Sequence, residues 1–183
     1  MIIETSSPTR IFTPSLSASV LHLTGRENED ELTLDEKFTI EYIAGVLAEF
    51  VPVERLFKPG ELYSGLYTFT EQWLTRQSDR HPSRRVADFL LLMRGMFPEQ
   101  LERQRTKEFY ETVGARLYWS LYRTEKGFFR LRDGMLSENF SSYGEAIRHT
   151  RDNSFYVERK GDWTKIIPYR TSLSGMKPPD VFH

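Results

Sequence analysis

The sequence predicts an all-α fold: a single-domain bundle of five or six helices, with an extended N-terminal arm and an irregular or short β-hairpin C-terminal tail. Three observations lead there. Apolar residues recur at three- and four-residue spacing through most of residues 33–151, the period of a helix and not of a strand. The run VADFLLLMRGMFP, Val86 to Pro98, is apolar nearly all round, which marks a helix buried on most sides. Proline and glycine breakers cut the chain into helix-sized pieces.

At 183 residues the chain has the size of one domain, which typically spans about 100–200 residues. It divides into an extended, partly disordered arm (1–32), a bundle (33–151) and an irregular tail (152–183). The arm is rich in Ser and Thr, carries Pro8 and Pro14, and leads into the acidic run Glu27, Glu29, Asp30 and Glu31. The first helix starts at Thr33. Thr33 and Glu36 have capping-box spacing, and Asp35 and Glu36 put negative charge in the first turn. Phe38, Ile40, Ile43, Val46, Leu47 and Phe50 continue it to Pro52, which ends the helix or starts a short second one through Glu54 to Phe57. Lys58-Pro59-Gly60 breaks the chain before a second helix, about Glu61 to Gln77, with Leu62, Leu66, Phe69 and Trp73 on one face.

The third helix runs from about Pro82 to Phe97, with proline at its first position, where the missing N–H costs nothing. Arg84 and Arg85 stand three and four residues before Asp88, in reach for pairing along the helix. Arg94 follows five consecutive apolar residues. Burial would oblige it to bond a carboxylate or backbone carbonyls. A polar bend after Pro98 leads to the clearest helix, about Lys107 to Thr124. Phe109, Val113, Leu117 and Leu121 form one row and Tyr110, Gly114, Tyr118 and Tyr122 the next. Gly114 costs that helix about 1 kcal/mol against alanine, which suggests close approach of a neighbour. Residues 128–136 read as partly helical, and a last helix runs from about Ser137 to Thr150. The stretches SFYVER and WTKIIPY suggest a hairpin or a draped tail.

Function is far less legible. The absence of cysteine removes disulfides, thiolate ligands and cysteine nucleophiles. There is no Gly-x-Ser-x-Gly elbow, Walker A loop or Rossmann fingerprint. His22, His81, His149 and His183 are scattered. Glu145 and His149 could share a helix face, but the paired Glu-x-x-His motifs of a di-iron bundle are missing. The expectation is therefore no catalytic, cofactor or metal residue, and no cofactor.

The formal charge of -1 gives no global basic field, although arginine outnumbers lysine 18 to 7. Residues 116–132 mix Arg116, Arg123, Arg130 and Arg132 with Tyr118, Trp119, Phe128 and Phe129, a composition that can bind single strands. Most of these aromatics fall on expected core faces, and the sequence weighs against nucleic acid. An apolar ligand in an aromatic-lined pocket is a further alternative. No run approaches the roughly 20 apolar residues needed to span a bilayer, and the N-terminus has no signal-peptide pattern. The chain reads as cytoplasmic, without a membrane partner.

Gly95, Phe97, Pro98 and Glu99, followed by Tyr110 and Gly114, resemble a pattern in an uncharacterised family of bacterial helical proteins. In that pattern an apolar helix ends at Gly-x-Phe-Pro-Glu and a Tyr/Gly-containing helix follows. The resemblance implies bacterial origin and an all-helical fold, and it transfers no activity. Candidate structural or binding positions are Arg94, Phe97, Glu99, Tyr110, Gly114 and Tyr118. The leading expectation is a non-enzymatic protein that binds another protein or a second copy of itself.

Overall fold

The structure is a computed structural model in which residues 8–50, 82–160 and 163–168 are described, with side chains over 12–49 and 82–153. The expected helices at 54–57 and 61–77, the breaker at 58–60 and the end of the tail lie outside the described residues. The described chain is a helical bundle. Its α-helices are α1 (Pro8–Thr24), α2 (Leu34–Phe50), α3 (Pro82–Met96), α4 (Pro98–Arg103), α5 (Lys107–Thr124), α6 (Gly127–Glu138) and α7 (Phe140–Ser154). The backbone of Phe155–Lys160 pairs antiparallel with Trp163–Pro168, in a register from Phe155 opposite Pro168 to Lys160 opposite Trp163.

The helices close into a ring of neighbours: α1 packs on α2, α2 on α6, α6 on α5, α5 on α3, α3 on α7 and α7 on α1. Every residue of α3 from Ala87 to Met96 is buried, as its all-round apolar sequence requires. Phe97 then caps α4, with Pro98 at the first helical position.

The expected N-terminal arm is corrected. Residues 8–24 are helical, and Phe12, Leu16, Val20 and Leu21 lie in the core. Their spacing follows a helical period, but Pro14 inside the helix and the Ser/Thr content mask the pattern. A proline in a helix removes one backbone bond, and that loss is offset here by docking on two neighbours. Ser19 Oγ lies 2.8 Å from Thr150 Oγ1 and 3.0 Å from His149 Nδ1, and the His22 and His149 rings stack 4.7 Å apart. With α1 included, seven helices stand among the described residues, not five or six.

The capping box of α2 is formed: the Thr33 amide donates to Glu36 Oε2 (2.8 Å) and the Glu36 amide to Thr33 Oγ1 (3.2 Å). Arg26 donates through Nη1 and Nη2 to the same carboxylate at 2.9 and 2.6 Å, tying the α1–α2 loop down. This guanidinium pairing, helped by the Thr33 amide and opposed by burial, holds the Glu36 carboxyl at about 2, below its usual 4.5.

Close helix contacts are made at glycines. A Cβ on Gly114 would overlap the Phe140 ring, one on Gly95 would overlap Ile147, and one on Gly144 would stand 2.6 Å from Arg94 Cγ.

Two predictions follow from these contacts. Gly114→Ala should destabilise the protein by about 1–3 kcal/mol, because overpacking against Phe140 outweighs the ~1 kcal/mol gain in helix propensity. Urea denaturation measures it, and a stabilised variant would contradict the close contact. Glu36 has a depressed folded pKa, so its contribution is present above its unfolded value and is lost as the pH falls from about 4.5 to about 2. The gap in urea midpoint between wild type and Glu36→Gln should therefore be widest near neutral pH and close across that interval.

Candidate functional site

Many polar residues of the bundle gather into three knots, each built around a buried arginine. The largest joins α2, α3, α5 and α6. Asp88 and Asp133 are fully buried, and Arg84 and Arg132 nearly so. Tyr42 donates its hydroxyl between both Asp88 oxygens (2.6 and 2.7 Å), and Tyr118 donates to Asp88 Oδ1 at 2.7 Å. Arg84 holds both Asp133 oxygens at 2.7 Å and reaches Glu125 at 3.1 Å. Arg132 donates to Asp133 Oδ1 through Nε and Nη2. Its guanidinium lies 4.0 Å from the Tyr42 ring centre and 5.2 Å from that of Phe129, a cation–π arrangement.

Two buried carboxylates thus face two buried guanidiniums. Burial, reinforced by the Asp88 charge, raises both tyrosine pKa values, so Tyr42 and Tyr118 act as donors at neutral pH. Burial works against the Arg84 charge, but its bonds to Asp133 more than compensate and its pKa rises. The knot is a charge-balanced cross-link of four helices. The sequence puts Asp88 within reach of Arg84 and Arg85 on its own helix; the structure turns the Arg84 guanidinium across to Asp133 on α6.

The second knot centres on Arg94, which is 2 % exposed. It donates through Nε to Glu111 on α5 and through Nη2 to Glu145 on α7, each at 2.5 Å. Burial opposes its charge and these bonds restore it, while Arg94 in turn lowers the Glu145 pKa against the effect of burial. In the third, Arg151 holds the Glu99 carboxylate at 2.9 and 3.1 Å and the Met96 carbonyl at 2.8 Å. Burial would raise the Glu99 pKa, but Arg151 draws it below its ordinary value.

The six sequence candidates enter these knots or the packing around them. Arg94 and Glu99 anchor the second and third, and Tyr118 belongs to the first. Gly114 accepts the Phe140 ring, which also lies 6.1 Å from the Tyr118 ring. Tyr110 packs half-buried against the core and Phe97 caps α4. They do not converge on one cavity. A crevice of about 300 Å³ between α5 and the α6–α7 turn is lined by Glu111, Thr112, Ala115, Phe140 and the polar run Ser137 to Ser142; it is not an aromatic-lined core.

Ser19 and His149 stand at the distance of a nucleophile and its base, yet Ser19 is 2 % exposed and donates to the Ser15 carbonyl at 2.9 Å. Glu145 turns to Arg94, and His149 to Ser19 and Asn153. Among the described residues, no three His, Asp or Glu side chains cluster to hold a metal ion, and no helix is long and apolar enough to cross a membrane.

The surface departs further from the sequence expectation. Tyr118 is buried, but its neighbours in the chain point outward: Phe109 (61 % exposed), Trp119 (48 %), Phe128 (57 %), Phe129 (55 %) and Leu131 (45 %). Arg116, Arg123, Lys126 and Arg130 are exposed among them. No family model, curated relative or solved structure matches this chain.

Removing Asp133 would leave two buried guanidiniums without their shared carboxylate. Asp133→Ala should cost about 3–5 kcal/mol, a large fraction of a domain's stability. Tyr118→Phe, which keeps the ring, should cost about 1–3 kcal/mol. Equal, small losses in urea unfolding would show that Asp133 does not hold the knot together.

Proposed function

We propose that the protein acts through protein–protein interaction, with a second copy of itself as the partner that fits the edge formed by α2 and α6. One observation carries this reading. Leu34 (70 % exposed), Phe128, Phe129 and Leu131 stand out at that edge, and Phe38 bridges the two helices with its ring 5.8 Å from Phe128. Exposed apolar clusters of this kind mark interaction sites, and aromatic residues dominate the binding energy of interfaces.

The charges around the edge support self-pairing. Its α2 end follows the exposed acids Glu27, Glu29, Asp30 and Glu31, and its α6 end carries the exposed bases Lys126 and Arg130. We place the two-fold axis of the dimer at Phe128, so that the acidic flank of one copy meets the basic flank of the other. That arrangement is the self-complementarity an isologous dimer requires.

Light scattering tests the reading. The wild-type chain should approach twice its 21.6 kDa mass as concentration rises. The double variant Phe128→Asp/Phe129→Asp should stay monomeric with unchanged helical circular dichroism. A wild-type chain that is monomeric at all concentrations would overturn it.

A further inference from the structure

The α2–α6 edge leaves a second exposed surface unused. On α5, Phe109, Thr112, Arg116, Trp119 and Arg123 follow one another at steps of three and four residues, and all are exposed. Such steps keep residues on one side of a helix, so they form a single outward row. At about 1.5 Å per residue the row is ~21 Å long. Thr112 aside, it alternates aromatic and cationic side chains, and it contains no carboxylate. Arg105 precedes it and Lys126 follows it, both exposed; the acids beside it are the exposed Glu108 and, lining a crevice with Thr112, the Arg94-bound Glu111 and the exposed Glu138.

The Trp119 end is already ordered as a stack. Trp119 lies nearly parallel to Tyr122, ring centres 5.1 Å apart, and the Arg130 guanidinium sits 4.7 Å from the Tyr122 centre and donates to its hydroxyl at 3.3 Å. Tyr122 therefore covers one face of Trp119, and the 48 % exposure of Trp119 leaves the other face for a further ring.

We propose that this row binds single-stranded nucleic acid, with a base stacked on Trp119, a second base on Phe109, and the intervening phosphates paired with Arg116 and Arg123. A base on Trp119 would extend the stack of Arg130, Tyr122 and Trp119 by one plane. Aromatic platforms interleaved with bases suit unpaired strands, whose rings are free to stack; in a duplex the rings are occupied by their neighbours. An acidic peptide would satisfy the arginines but leave the aromatic faces without a planar partner. Lys126 and Arg130 border both surfaces, but the stacking and phosphate contacts proposed here fall on Phe109, Arg116, Trp119 and Arg123 of α5, none of which belongs to the apolar α2–α6 edge.

The test is fluorescence anisotropy on the full chain with labelled oligothymidylate and oligouridylate of about 20 nucleotides at ~50 mM salt, beside a duplex of equal length and polyglutamate as competitor. Single strands should bind more tightly than duplex, and affinity should fall as salt rises. Trp119→Ala should weaken binding about tenfold, within the range for loss of one stacked base. Arg116→Glu/Arg123→Glu should weaken it further and flatten the salt dependence. Trp119, Arg116 and Arg123 are exposed, so circular dichroism should show all variants folded, and Phe128→Ser/Phe129→Ser, which adds no charge beside Lys126 and Arg130, should bind as wild type does. Absence of binding at low salt would overturn the proposal. So would equal affinity for duplex with no effect of Trp119→Ala, or full competition by polyglutamate, which would assign the row to polyanions or an acidic protein instead.

Discussion

The buried exchange of charge around α3 is the constraint on which the bundle depends. A helix with Ala87 to Met96 buried can carry charged groups only if its neighbours supply partners for them. Arg84, Asp88 and Arg94 each find theirs on other elements: Asp133 on α6, Tyr42 on α2 and Tyr118 on α5, Glu111 on α5 and Glu145 on α7. Apolar packing alone tolerates small slides between helices. A carboxylate held by two phenols from different helices does not, because a shift of one turn would leave it buried without donors. The charges thus fix the register of an otherwise forgiving core.

The glycines make this geometry reachable. Gly144 lies against the aliphatic stem of Arg94, and Gly95 admits Ile147 from the same helix. The Arg94 stem therefore crosses α7 at close range and delivers its guanidinium to Glu145 on one side and Glu111 on the other. A side chain at position 144 would push α7 away at the point where the ion pair needs it near. Gly114 does the same for the ring of Phe140, which packs beside Tyr118. In each place a residue that weakens its own helix permits a contact between helices.

Much of the helical layout was legible in the sequence. The spacing at Lys107–Thr124, the Thr33–Glu36 capping box and the apolar run of α3 depend on local rules of period and cap, and those rules held. The helix at 8–24 was missed because proline and serine lower local propensity, whereas its stability comes from docking on α2 and α7. The burial of Arg94 could be inferred from the five apolar residues before it. Its carboxylate partners could not, since Glu111 and Glu145 look like any solvated glutamate on a helix. The Asp88 knot was illegible for the same reason: Asp133 and Arg132 sit in a stretch of alternating charge and aromatic, and only the tertiary fold says which of them turn inward.

That ambiguity also decides how the surface should be read. Tyr118 and Trp119 are neighbours in the chain, and a helix turns about 100° between them. One rotates into the knot with Asp88 while the other projects beside Arg116 and Arg123. An aromatic-rich composition is therefore two populations, one filling the core and one displayed. The displayed one is not scattered, as isolated exposed apolar residues on any surface are. It falls into an apolar edge on α2 and α6 and an aromatic–cationic row on α5. The same division holds for the charges of this stretch: Asp133 and Glu125 bond Arg84, and Arg132 turns inward beside them, while Arg123, Lys126 and Arg130 face solvent. Tertiary packing thus sorts neighbouring charges, like neighbouring aromatics, into interior partners and surface groups.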